Sequence, residues 1–324
     1  KKTPMDKTLT IKTLACAAAL FAAAGCGEKQ DDGKIKVAIS IPSADHGWTG
    51  GVVWWAEQVK REMEAKDPGV RILISTARDS AEQVSKIENM LVQDVDALVL
   101  LPQEPAPLTG ICEQAVKKGV YLVVVDRGLT KDVQNLTIAG DNAGFGRTCA
   151  EEMAKQLGGK GDILIMEGIP CEVNTLRVDA FKEVMKKYPG IRILESQTSY
   201  WSTEKGLKLM ENFLQKYPKI DAVWAGDDDV LLGALKAYEE SGRRDIKLMI
   251  GGGGSKTVVK KVLDKDPLVP FNVTYPPRMI AYGVEYAVAH LKGKPKTGEK
   301  RVTIPADVIT PKNAKFFYYP NSIY

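Results

Sequence analysis

The sequence predicts an α/β protein built as two doubly wound parallel-sheet lobes joined by a three-segment hinge. Three observations carry that prediction. Short runs rich in Val, Ile and Leu recur along the chain without polar alternation, as strands buried on both faces require. Each run is followed by an amphipathic stretch of helical length, the rhythm of a parallel sheet with right-handed crossovers. Ten such runs are too many for one sheet, and Gly140-Asp141-Asn142 offers a break between two blocks.

The apolar runs fall at 35–41, 70–75, 97–101, 121–125 and 136–139, then at 162–166, 191–196, 222–224, 247–250 and 270–273. Helices are expected between and after them at 47–65, 81–92, 107–118, 144–156, 174–187, 204–216, 230–241, 256–264 and 277–292. Asp141 and Asn142 suit a helix start near Gly144, and Asp228 and Asp229 suit the first turn of the helix that follows 222–224. In doubly wound sheets ligands lie beyond the carboxyl ends of the strands, so polar residues at strand ends are the site candidates. The expected first lobe is 35–139 plus 275–304, and the second is 140–274 plus 305–324.

Ahead of these lobes, Lys1, Lys2, Lys7 and Lys12 precede a short apolar stretch that ends in Ala24-Gly25-Cys26. A basic start, an apolar run too short to span a bilayer permanently, and small residues before a cysteine read as an export signal over 1–25, with lipid carried on Cys26. A polar tether covers 26–34. The formal charge of +4 comes mostly from that signal, which holds four Lys and one Asp. The balanced remainder gives no reason to expect nucleic acid or an anionic surface as partner. With His46 and His290 as the two histidines, and Cys112, Cys149 and Cys171 at no metal-ligand spacing, no metal site and no cofactor are expected. The three cysteines read as buried or half-buried free thiols.

Four segments speak together: Val123-Val124-Val125-Asp126-Arg127, Ile138-Ala139-Gly140-Asp141-Asn142, Arg177-Val178-Asp179-Ala180-Phe181 and Ala222-Val223-Trp224-Ala225-Gly226-Asp227-Asp228. Ser196-Gln197 followed by Trp201, Leu232-Gly233-Ala234-Leu235, and Tyr275-Pro276 before Gly283-Val284-Glu285 extend the pattern. In this order and spacing the chain resembles the periplasmic sugar-binding proteins of the ribose/galactose type, with the ribose-binding members nearest. The resemblance spans residues 35–324 and implies the type I periplasmic binding protein fold. It also implies a non-catalytic protein that closes on a sugar or sugar alcohol and delivers it to the permease subunits of an ABC importer. A lipid-anchored monomer on the periplasmic side of a bacterial membrane is expected.

The side chains agree with that implication. Carboxylates and guanidinium groups take paired ligand hydroxyls through charge-assisted hydrogen bonds, and aromatic rings cover the C–H faces. The resemblance assigns His46, Trp48, Thr49, Asp126 and Arg127 to the first lobe and Arg177, Trp201 and Asp227 to the second, with Thr274 and Tyr275 at the hinge. In Gly251-Gly252-Gly253-Gly254, Gly253 stands where the ribose pattern has an aspartate, which argues for freed volume and a ligand other than ribose. Hinge segments are expected near Gly140, Val273-Thr274 and Ile304-Pro305-Ala306. Gln103 and Glu104 read as a solvated loop, and Trp224 as packing. Two other readings share the fold: a ligand-sensing module for a chemoreceptor or histidine kinase, and a binder of a furanose-like signalling molecule. An exported enzyme is disfavoured, since no nucleophile–base set accompanies Asp126 and Asp227.

Overall fold

The computed structural model describes residues 33–44 and 47–324; Cys26, the export signal, the tether up to residue 32, and His46 lie outside them. The first sheet begins with β1 (Ile35–Pro42), β2 (Val70–Ala77), β3 (Ala97–Leu100), β4 (Tyr121–Val125) and β5 (Leu136–Gly140). Its crossovers are α1 (Gly47–Lys66), α2 (Ser80–Leu91) and α3 (Pro105–Lys117). The chain then runs through α4 (Asn142–Gln156), β6 (Lys160–Glu167), α5 (Glu172–Met185), β7 (Gly190–Thr198), α6 (Thr203–Lys216), β8 (Ala222–Ala225), α7 (Asp228–Ser241), β9 (Leu248–Ile250) and α8 (Lys256–Leu263). It closes with β10 (Asn272–Val273), α9 (Met279–Leu291), β11 (Arg301–Ile304), β12 (Val308–Ile309) and a 3-10 turn at Ala314–Phe316.

Two parallel sheets result, in the orders β11-β5-β4-β3-β1-β2 and β7-β6-β8-β9. The absence of polar alternation has a direct cause. Val37, Ile39 and Ile41 of β1 pack toward α1 and α9, while Ala38 joins Leu98, Leu100, Leu122 and Val124 against α2 and α3. In the second sheet Ile163, Ile165 and Trp224 face α4 and α5, and Leu164, Met166 and Val223 face α6, α7 and α8. Trp224 stacks on Phe181 at 4.0 Å and is core packing. These are two doubly wound α/β lobes.

The expected strand at 270–273 is corrected. Pro270 has no N–H to donate, so pairing starts at Asn272, and the two-residue β10 joins β12 antiparallel in a separate ribbon. The strands β11 and β12 were not anticipated. Chain crossings between the lobes lie side by side: Asp141 N donates to Ile304 O (2.9 Å), and Thr274 N donates to Asp307 O (2.9 Å).

The strand orders fix where a ligand can lie. In the first sheet β1 has β2 on one side and β3 on the other, and in the second β6 has β7 and β8. Those are the switch points, where loops part to opposite faces and leave a crevice beyond the strand ends. The loops after β3, β4, β6 and β8 carry the polar residues that meet there.

Candidate functional site

A cavity of about 600 Å3 lies between the lobes. From the first lobe it is lined by Trp48, Gln103, Glu104, Asp126 and Arg127, and from the second by Arg177, Trp201, Asp227 and Gly253, with Tyr275 between. Strand ends deliver most of these groups. Asp126 follows β4 with φ of 63°, a conformation that Asp tolerates better than most residues, and its N–H donates to Ile138 O (2.8 Å).

Four side chains form a hydrogen-bonded line across the cavity. The Tyr275 hydroxyl donates to Asp126 Oδ1, and Asn142 Nδ2 donates to the same hydroxyl (3.2 Å). Arg177 Nε donates to Asn142 Oδ1 (2.9 Å), and Arg177 Nη1 donates to Gly226 O (3.2 Å). The Arg177 guanidinium sits over Tyr275 (4.2 Å) and Phe145 (4.4 Å), with Trp201 at 5.8 Å. A buried cation with hydrogen-bond partners on its nitrogens and two rings against it, set edge to face with each other, is held rigidly. Arg127 Nη1 donates to Gln103 O (2.9 Å), which fixes its head beside Asp126, 4.0 Å away. Trp48 is buried, and its Nε1 donates to Tyr275 O (2.9 Å).

The floor on the second lobe is electrostatically unusual. Burial, reinforced by the Asp229 charge, holds the Asp227 carboxyl well above the usual carboxylate range, although its side chain also accepts from Val230 N as the cap of α7. Asp228 is fully buried and pushed up to about 6 by burial. Its oxygens accept from Gly252 N (2.8 Å), Ser255 N (2.7 Å), Gly254 N (3.1 Å) and Asn272 Nδ2 (2.7 Å). This one carboxyl therefore organises the four-glycine run. Burial likewise raises the Tyr275 phenol, with Asp126 adding to it.

The sequence assignments divide as follows. Trp48, Asp126, Arg127, Arg177, Trp201, Asp227, Gly253 and Tyr275 all line the cavity. His46 lies outside the described residues. Thr49 and Thr274 are corrected: neither lines it. Thr49 is buried one residue past Trp48, about 100° further round α1. The Thr274 hydroxyl accepts from Asp307 N (2.9 Å) and is consumed by the hinge.

The freed volume expected at Gly253 is also corrected. A Cβ there would fall 2.0 Å from the Tyr324 hydroxyl, which fills the space. Sequence reasoning missed Tyr324, and it read Asn142 as a cap. Asp141 does the capping, through Gly144 N (2.7 Å), and this frees Asn142 to bridge Tyr275 and Arg177. Gln103 and Glu104 line the cavity rather than a solvated loop. Cys112 and Cys149 are buried, whereas Cys171 is exposed on the cavity wall, contrary to expectation. Among the described residues no group of three or more His, Cys, Asp or Glu is arranged to hold a metal ion.

Comparison with known proteins fits this architecture. A family profile described as a periplasmic binding protein domain matches residues 37–295. The ribose import binding protein of Bacillus subtilis is 32% identical over 254 residues, covering 78% of this chain and 81% of that protein. The periplasmic binding component of the arabinose ABC transporter from Shewanella sp. ANA-3, solved with L-arabinofuranose, superposes with a TM-score of 0.75 at 27% identity, covering 87% of this chain and 94% of that one. A solute binding protein from Actinobacillus succinogenes with bound D-allose shares the fold, with a TM-score of 0.78 at 21% identity over 87% of this chain and all of that one. The chain belongs to the periplasmic binding protein family, a family of substrate-binding rather than catalytic proteins.

Proposed function

We propose that this protein binds a monosaccharide or sugar alcohol between its lobes and hands it to the membrane subunits of an ABC importer. The observation that carries the proposal is the line Asp126–Tyr275–Asn142–Arg177, which gathers carboxylate, phenol, amide and guanidinium around one cavity beside Trp48 and Trp201. Such a set matches a ligand whose hydroxyls both donate and accept and whose C–H faces are apolar. The ribose importer component and the arabinofuranose-bound protein described above support the same ligand class.

Lobes of residues 35–139 with 275–304, and 140–274 with 305–324, would close on the ligand because it touches both and so favours the closed state. Lipid on Cys26 would keep the monomer on the periplasmic side of a bacterial membrane; this part rests on the residues before Cys26 alone. A thermal-shift screen over pentoses, hexoses and polyols tests the ligand class, since a ligand bound by the native state alone raises its melting temperature. A sugar or polyol giving a saturable rise supports the proposal. A flat response to the whole panel, with isothermal titration also silent, sinks it.

A further inference from the structure

We infer that Tyr324 is a ligand-contacting residue that sets specificity on the second-lobe floor of the cavity, an inference that rests on the sugar-or-polyol reading above. Tyr324 is 7% exposed and lines the cavity, yet its hydroxyl has no hydrogen-bond partner in the protein. The equally buried hydroxyl of Tyr275 is bonded on both sides. Buried polar atoms are nearly always paired, so an orphan at the edge of a binding cavity marks where a ligand atom or a solvent molecule belongs.

The position is built. Gly253 has φ of +127° and no side chain, and the phenol occupies the space that a side chain at Gly253 would take. The segment carrying Tyr324 is tied to both lobes. Tyr319 packs edge-on against Trp55 of α1 at 5.1 Å, Lys256 Nζ of α8 donates to Pro320 O (3.4 Å) and to Ser322 O, and Tyr324 N donates to Ser322 Oγ (3.1 Å). Gly51 of α1 gives the ring room, since a Cβ there would come 2.8 Å from Tyr324 Cβ.

The chemistry of the floor follows. Burial and the neighbouring charges of Asp228, Asp229 and Asp227 push the Tyr324 phenol well above its ordinary value, so it remains a neutral O–H donor. The three carboxyls around it already take other donors: Asp228 takes three backbone amides and the Asn272 amide, Asp229 takes Gly47 N, and Asp227 takes Val230 N. The floor at Gly253 therefore offers a donor and asks for an acceptor. It suits a neutral polyhydroxylated ligand that places one hydroxyl or ring oxygen over Gly253 as an acceptor.

The test is Tyr324→Phe, which removes one oxygen and keeps the ring. Wild type and variant are titrated calorimetrically with D-ribose, L-arabinose, myo-inositol and xylitol, then with the single-deoxy analogues of the tightest binder. The melting temperature without ligand reports the fold, and it should be unchanged or slightly raised because an unpaired buried hydroxyl is lost. The expected result is affinity about tenfold weaker for the parent ligand, with one deoxy analogue bound equally by both proteins. Equal affinity of both proteins for every probe overturns the inference while the sugar reading stands. So does a uniform weakening across parent and all analogues, which would mean a structural role. If wild type binds neither these probes nor any other member of the pentose, hexose and polyol panel, the sugar reading fails and takes the inference with it.

Discussion

The backbone amide of Gly47, the first residue of α1, donates to Asp229 Oδ2 at 2.9 Å, joining helix starts from the two lobes. A carboxylate facing the N-terminus of another helix is favoured by the unpaired amides and by the helix dipole. Position 47 admits this contact because it is glycine: a Cβ there would fall 2.4 Å from Asp229 Oδ1. Gly47→Ala should therefore push the lobes apart at this point. Ligand affinity is expected to fall by about tenfold, as for the loss of one charge-assisted hydrogen bond, with the unliganded melting temperature little changed. Titration calorimetry beside a melting curve checks it, and an unaltered affinity would refute the role of this contact in closure.

Arg177 should carry a larger share of ligand binding. Its guanidinium is fixed by Asn142 Oδ1 and Gly226 O and by the rings of Tyr275 and Phe145. Lysine retains the charge but not the planar fork or the ring stacking. Arg177→Lys should cost about 2–5 kcal/mol of ligand binding, because Asn142 and the ligand oxygens are left badly paired. Affinity measured for the Lys variant against wild type reads this directly; a loss of less than threefold would contradict it.

Most of the architecture was legible because the physics that forms it is local. The buried strands of both sheets face helices on each side, so they appear in the sequence as apolar runs with no polar gaps. By contrast β11 alternates exposed and half-buried residues at a sheet edge, and β12 has two residues, so neither leaves such a run. The site divides on the same ground. Asp126, Arg127 and Asp227 announce themselves as charges directly after apolar strands. Thr49 is lost to the helical turn that carries it inward, and Thr274 to a backbone amide across the hinge. Tyr324 reaches Gly253 through a long irregular segment with no periodicity, so nothing in the surrounding residues points to the cavity.

The buried Asp228 makes stability depend on pH in a direction opposite to that of a surface carboxylate. Its folded value, about 6, lies above the ordinary 3.8, so between those values the folded state holds a proton that the unfolded state has released. Its contribution is fully present below about pH 4 and is lost as pH rises through about 6, a change of about 3 kcal/mol for a shift of this size. Denaturant unfolding of wild type and Asp228→Asn at pH 4 and pH 7 isolates the group. The advantage of wild type over the variant should be larger at pH 4 by about that amount. A difference independent of pH, or larger at pH 7, would show that the carboxyl is not raised by its burial.

The three described cysteines should differ sharply in reactivity, and the difference reports on the cavity. The thiolate is the reactive form, so burial suppresses reaction by raising the thiol and by excluding the reagent. Cys112 is fully buried and pushed up to about 12, and burial raises Cys149 as well. Cys171 is exposed at the start of α5 and lines the cavity. Iodoacetamide followed by peptide mapping should therefore modify Cys171 in the native protein and spare Cys112 and Cys149. A saturating ligand should slow that modification about tenfold, because closure on the ligand covers the wall that holds Cys171. Protection of Cys171 by ligand together with unchanged silence at Cys112 and Cys149 ties the occupied site to this cavity. Modification of Cys171 at the same rate with and without ligand would place the ligand elsewhere.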